Sequence, residues 1–225
     1  MRFKALAAAA ALTIGGFLAM GAAPNWLATV TLTDGGHVIG NPAAEVKLTE
    51  YISYTCPHCA EFAREGEQPV KLAYIAPGKL SLEVRHLLRD PVDLTATLLA
   101  NCGAPAKFPQ NHTAFMLSQA TWLPKMANAT EAQTKRWTNG PNAARRRAIA
   151  SDLGFYAIME RRGYTRTVAD RCLADEALAT KLSDIAVREW KKPGIGGTPA
   201  FAINGVVLTG THSWAALEPQ LKARF

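Results

Sequence analysis

Cysteine is scarce in this chain, with four residues in 225, and only Cys56 and Cys59 stand close together. A zinc ribbon needs a second closely spaced ligand pair, and Cys102 and Cys172 are solitary. Covalent haem attachment needs histidine directly after the second cysteine, where this chain has Ala60. His37, His86, His112 and His212 share no ligand spacing and read as structural or solvated, so neither metal nor cofactor is expected. Low-complexity runs and internal repeats are lacking. With 48% hydrophobic and 19% charged residues, the composition is that of a globular protein. The length suffices for one core, or for one domain carrying a large insertion. Aromatic residues are not interleaved with Arg145-Arg146-Arg147 or Lys191-Lys192, so these read as solvated helix faces and nucleic-acid binding is not expected.

Long apolar runs are also missing, with one exception. Arg2 and Lys4 precede an apolar stretch from Ala5 to Met20, and small residues follow at Gly21, Ala22 and Ala23. A charged start, an apolar middle and a small-residue end make residues 1–23 a secretory signal peptide. The stretch is short for a membrane span of roughly 20 residues, which is the competing reading. With no cysteine nearby, a lipid anchor is not expected. Export implies an oxidising compartment, where an even number of cysteines is expected to form disulfides. Removing Arg2 and Lys4 takes the formal charge from +7 to +5.

Past this segment the pattern is β, then α, then β. Residues 29–40 predict a hairpin turning at Asp34-Gly35-Gly36. Glu45 to Tyr54 alternates as a strand and runs into Cys56. Pro57 to about Tyr74 predicts one helix, with proline tolerated in its first turn. Pro77-Gly78 ends that segment, and Leu80 to Leu88 alternates again. From Asp90 to Lys192 the periodicity is helical, starting at an Asp90-Pro91 helix-start signal. Helices are predicted near 111–119, 141–153, 155–162, 165–173 and 176–191, whereas 121–138 reads as a loop with partial helix. Asn204-Gly205 then joins Ala200–Ile203 to Val206–Leu208 in a hairpin, and Ser213 caps a final helix through Lys222. The fold class is α/β with an inserted all-helical subdomain. Residues 24–89 and 193–225 form the two parts of the α/β unit, and 90–192 form the insertion.

Cys56-Pro57-His58-Cys59 carries the chemistry. The first cysteine lies past a strand at the start of a helix, where unpaired N–H groups and the helix dipole favour a thiolate. A thiolate is the nucleophile and the good leaving group of disulfide exchange. Cys56 is therefore expected to be the exposed, reactive sulfur, and Cys59, one turn in, the buried resolving one. His58 adds a donor able to stabilise the thiolate. A purely structural disulfide is the competing reading. Far along the chain, Gly196-Gly197-Thr198-Pro199 precedes the second hairpin, and its glycines allow a cis Thr198–Pro199 bond.

These residues resemble the thioredoxin superfamily, and more closely the DsbA-like thiol–disulfide oxidoreductases. The likeness rests on Glu50-Tyr-Ile-Ser-Tyr-Thr-Cys56-Pro-His-Cys59, on Gly197-Thr198-Pro199 before the Asn204-Gly205 hairpin, and on the helical insertion. It implies a thioredoxin fold in which Cys56 is the nucleophile, Cys59 resolves, and Pro199 is a cis-proline opposite the disulfide. Thr198 would present backbone groups to a client peptide and tune the redox poise. Glu50, which alone reads as a surface strand residue, would be a partly buried acid exchanging protons with Cys59. Some relatives also staple the helical subdomain with a disulfide. Cys102 and Cys172 are expected to form one, the alternative being two buried thiols.

The resemblance implies a periplasmic, monomeric oxidase that hands its disulfide to newly exported proteins. A membrane quinone-linked partner similar to DsbB would reoxidise it. One feature departs from this pattern. Valine is common before the cis-proline of DsbA-type oxidases, whereas threonine is familiar from the isomerases. A reductase or isomerase kept reduced by a membrane electron donor is therefore the alternative. The isomerases carry a sizeable N-terminal dimerisation domain, and only about thirty residues separate the signal from Cys56, so a V-shaped dimer is not expected. A non-catalytic binding protein on the same scaffold is a third reading, disfavoured by the Pro-His dipeptide.

Overall fold

The computed structural model describes residues 24–225; the expected signal peptide, residues 1–23, lies outside the described residues. The alternating sequence Val46-Lys47-Leu48-Thr49-Glu50-Tyr51-Ile52 forms β3 (Val46–Ile52), which lies inside a sheet in the order β1-β2-β4-β3-β5-β6. β1 (Val30–Leu32) and β2 (Gly36–Gly40) are the predicted first hairpin. β4 (Leu80–His86) is parallel to β3 and antiparallel to β2. β5 (Ala200–Ile203) runs antiparallel to β3 and continues into β6 (Val206–Val207). Asn204 and Gly205 both have positive φ, 51° and 82°, which two-residue turns of this hand require.

The expected single helix over 57–74 is broken. It comprises α1 (Pro57–Glu65), α2 (Glu67–Val70) and one wide turn over Lys71–Ile75. Pro69 has no N–H to offer the carbonyl four residues back, at Glu65, so the ladder cannot pass Gly66 unbroken. The helical block follows as α3 (Pro91–Ala100), α4 (Phe108–Leu117), α5 (Gln119–Ala127), α6 (Glu131–Thr138), α7 (Asn142–Leu153), α8 (Phe155–Arg161), α9 (Arg166–Leu173) and α10 (Glu176–Trp190). α11 (Trp214–Lys222) closes the chain, with the Ser213 hydroxyl accepting from the Ala216 N–H.

The segment 121–138, expected as a loop with partial helix, is mostly helical. Pro124 lies inside α5, against helix propensity, but Trp122 is buried there edge-on to Phe155 at 5.2 Å. Burying an indole outweighs the loss of one backbone hydrogen bond. α6 begins with a capping box in which the Thr130 hydroxyl accepts from the Gln133 N–H and Gln133 Oε1 accepts from the Thr130 N–H.

Inward-facing residues of the sheet pack with α1 and the helical block in one large core that includes Leu48, Ile52, Phe62, Leu82, Phe115, Phe155 and Phe201. Cys102, just past α3, is bonded to Cys172 in α9 across 70 residues of sequence. Tyr164 Oη donates to the Cys102 carbonyl at 2.7 Å, fastening the same corner.

Closing a loop of this length removes denatured-chain entropy amounting to about 4 kcal/mol, with measured disulfides commonly giving about 2–4 kcal/mol. The Cys102→Ala/Cys172→Ala protein is expected to lose stability in that range in urea unfolding. Its Cys56 should titrate as in the parent, because the bridge lies in the helical block and not beside the thiols.

Candidate active site

β3 delivers the chain to the start of α1, and Cys56 is the N-cap residue, extended at φ −92° and ψ 119° with Pro57 in the first turn. Three side chains from the helical block fix this approach. Asp93, buried at the start of α3, accepts from Ser53 Oγ at 2.5 Å and from the Tyr54 N–H at 2.8 Å. Asp90 caps α3 through the Val92 and Asp93 N–H groups and accepts from Thr55 Oγ1 at 2.7 Å. Gln119, at the start of α5, donates to the carbonyls of Tyr54 and Cys56 at 2.7 and 2.8 Å. None of the three was assigned to the site from the sequence. Only the Asp90-Pro91 helix start carried a signal.

Cys56 and Cys59 are free thiols, and both are buried, Cys56 at 4% exposure and Cys59 at 0%. Cys56 is thus less open than the sequence suggested, because the Thr198–Pro199 loop lies over it. Cys56 Sγ is 3.0 Å from the Thr198 carbonyl oxygen, and the Thr198–Pro199 peptide is cis. His212, to which the sequence assigned no role, has Nδ1 2.7 Å from the Pro199 carbonyl oxygen and secures this loop from the approach to α11.

The two sulfurs are driven in opposite directions. A hydrogen bond from Cys59 is the largest influence on Cys56. With help from Thr198 and the N–H groups of Cys59 and His58, it overcomes burial and lowers the Cys56 thiol from 9.0 to about 5. Burial, followed by the neighbouring Cys56, holds Cys59 well above its ordinary value. At neutral pH the pair is one thiolate and one thiol.

The structure brings Cys56, Cys59, Thr198 and Pro199 together. His58 is different. Its backbone N–H serves the thiolate, while its imidazole turns outward with Nδ1 3.2 Å from Glu61 Oε2 and a side-chain exposure of 74%. Glu50 is not a surface residue. It faces inward from the middle of β3, paired in register with Val84 and Phe201, and is 1% exposed. Burial and the charge of Glu67 raise its pKa well above the ordinary carboxyl value. Its field reaches Cys59.

Three of the four histidines that appeared unrelated in sequence gather around Phe108 in the core. His37 stacks on it at 3.9 Å, with His86 and His112 at 5.9 and 5.6 Å. Burial lowers His37 to about 4 and His86 well below its ordinary value, so both are neutral. Among the described residues, no group of three or more His, Cys, Asp or Glu is arranged to hold a metal.

Residues 32–223 match the family described as thioredoxin. The chain belongs to the thioredoxin family. It is 51% identical to a crystal structure described as a protein-disulfide isomerase from Novosphingobium aromaticivorans. The TM-score is 0.82 over 86% of this chain and 98% of that one. Wolbachia pipientis alpha-DsbA1, 21% identical, shares the fold with a TM-score of 0.65 over 83% of this chain and 88% of its own. A Rickettsia conorii protein provisionally named a protein-disulfide oxidoreductase is 28% identical over 82% of this chain and 58% of its own length. The chain thus spans less than two thirds of that relative. This fold places the helical block where it clamps the entry to Cys56.

The thiolate absorption of Cys56 in the ultraviolet is expected to appear with a midpoint near pH 5, and Cys59→Ala should raise that midpoint by removing its largest stabilising partner. The folded value lies below the unfolded one. The stability this gives the reduced protein is therefore complete above about pH 9 and lost as pH falls through about 5. Unfolding of reduced protein across pH 5–9 should show a rise that Cys56→Ser lacks.

Proposed function

We propose that this protein is an exported thiol–disulfide oxidase that donates a Cys56–Cys59 disulfide to newly exported proteins. The observation that carries this reading is the separation of the two sulfurs. A thiolate held as low as Cys56 stabilises the reduced protein and makes its disulfide a stronger oxidant. A client thiolate attacks Cys56 Sγ, the Cys56–Cys59 bond breaks, and Cys59 leaves and is protonated. A second client thiol, giving up its proton, attacks the client sulfur of the mixed disulfide. The client disulfide forms, and Cys56 departs as the thiolate. Two electrons have then passed to the enzyme, and a quinone-linked membrane partner similar to DsbB takes them up.

The Thr198 carbonyl, 3.0 Å from the sulfur, offers a client backbone an acceptor at the point of attack. Beside the entry loop, where Arg89 donates to the Thr55 carbonyl, lies a cleft of about 330 Å³. Leu88, Leu94, Ile149, Val187 and Trp190 line it and suit apolar client side chains. Residues 1–23 support export to the periplasm, and the oxidase is proposed to act as a monomer. Among the described residues, no helix is long and apolar enough to cross a membrane.

A reductase or isomerase is the second reading. It is favoured by Thr198 before Pro199 and by the description of the 51%-identical Novosphingobium structure as a protein-disulfide isomerase. Equilibration with glutathione separates the two. The oxidase reading expects a couple more oxidising than the glutathione pool and Cys56–Cys59 oxidised when thiols are trapped in intact cells. A potential near thioredoxin's, about −270 mV, with both thiols free, would exclude it.

A further inference from the structure

The cleft beside the entry loop carries charge that its apolar walls do not explain. Those walls are Leu94 from α3, Trp137 from α6, Ile149 from α7, and Val187 and Trp190 from α10. Trp190 Nε1 donates to the Leu88 carbonyl at 3.2 Å, which joins α10 to the chain leaving β4. Three arginines and one aspartate line the same cleft. The run Arg145-Arg146-Arg147, read from sequence as a solvated helix face, is divided here. Arg146 is buried, and its two terminal nitrogens donate to Glu176 at 2.9 and 3.1 Å. Asp90 is equally occupied, its oxygens accepting from Val92, Asp93 and Thr55. Arg145 and Arg89 differ. Arg145 donates to the Trp137 carbonyl and to Asn142 Oδ1, and Arg89 Nη1 donates to the Thr55 carbonyl at 3.4 Å. Among the described residues the arginines that form ion pairs are Arg85, Arg136 and Arg146. Two guanidinium groups thus line an apolar cleft without a carboxylate.

We propose that this cleft docks an extended client segment in which an apolar side chain stands beside a carboxylate, and that Arg89 and Arg145 select the carboxylate. The inference rests on the client-exchange reading above. A volume of about 330 Å³ lies at the small end of ligand pockets, which run from about 300 to 1,000 Å³. It admits a side chain or two, and not the face of a folded partner. The tryptophan and aliphatic walls take up the apolar side chain, and a guanidinium offers a carboxylate its fork of donors. Arg145 is half-buried, so salt screens its charge less than that of a fully exposed group. Arg89 ties the cleft to the chemistry, because the Thr55 carbonyl that it holds belongs to the residue next to Cys56. A client whose cysteine sits at Cys56 therefore carries residues a few positions away past Arg89, at about 3.3–3.6 Å per extended residue. A lysine in place of the carboxylate meets two unpaired like charges and is rejected. On this reading the helical block chooses which client cysteine is presented, and the Cys56 and Thr198 face carries out the exchange.

The test uses the full folded protein and cysteine peptides that carry aspartate or lysine beside a phenylalanine, at successive distances from the cysteine. The oxidised protein should react faster with the best aspartate peptide than with its lysine counterpart by about three- to tenfold, corrected for peptide thiolate. That is the size of one or two partly exposed charge pairs. The ratio should shrink as salt is raised. Arg89→Gln/Arg145→Gln should abolish it, and Arg145→Glu should lower it further, towards the lysine peptide. Lys47→Gln/Lys79→Gln removes equal charge from the end of the sheet remote from Cys56 and should preserve the ratio. This control separates the cleft from the attraction of a basic chain for any acidic peptide. The second readout needs no redox step: the aspartate peptide with serine for cysteine should shift the indole N–H signals of Trp137 and Trp190 in NMR. Equal rates for the two peptides, or a preference that survives Arg89→Gln/Arg145→Gln, would overturn the proposal. Indole shifts that follow protein concentration without peptide would assign the cleft to a second copy of the chain and overturn it as well. Arg145 also holds the Trp137 carbonyl, so its variants can fail to fold. In that event Arg89→Gln alone should lower the ratio by about twofold or more, and an unchanged ratio there overturns the proposal. Binding of the serine peptide by a parent protein that performs no exchange would sink the oxidase reading alone.

Discussion

A sulfur that is both buried and charged is tolerated only where donors surround it, and the Cys56 thiolate is the constraint on which the rest of this site depends. Its donors come from the neighbouring Cys59, from Thr198 and from the first N–H groups of α1. Each of these must be held in place. α1 is placed by β3, the Thr198–Pro199 loop by β5 and His212, and the residues between β3 and α1 by Asp90, Asp93 and Gln119. The helical block is therefore part of the site. It supplies the side chains that occupy backbone groups which an isolated strand-to-helix turn would leave to water.

The same preorganisation separates the two thiols. Cys56 has donors aimed at its charge, whereas Cys59, one helical turn deeper, meets apolar neighbours and the field of Glu50. Two chemically identical side chains thereby acquire different protonation states by environment alone. Behind them the interior carries several titratable side chains. His37 and His86 are kept neutral by burial and pack as aromatic rings, while His112 is tied to Tyr54 and Glu67.

Much of the fold was legible because its signals are local. Asn204-Gly205 forced a tight turn, Asp90-Pro91 opened a helix, and alternation marked β3 and β4. The signals that failed were also local. Pro124 argued against a helix that Trp122 packing imposes, and Gly66 with Pro69 divided a segment whose periodicity looked continuous. The capping box Thr130–Gln133 stands in the sequence, and α6 starts at it.

By itself, the sequence determined the Cys56–Cys59 pair, its place at a helix start and the kinship that the family match bears out, since all three depend on short, contiguous motifs. Only the tertiary structure decided that Glu50 is buried, that the His58 imidazole turns away from the sulfur, and that Cys102 meets Cys172. It alone joined Glu67 to His112 and Lys71. Such facts join residues tens of positions apart, and their energies come from desolvation and field. Neither exists until the chain has closed around them.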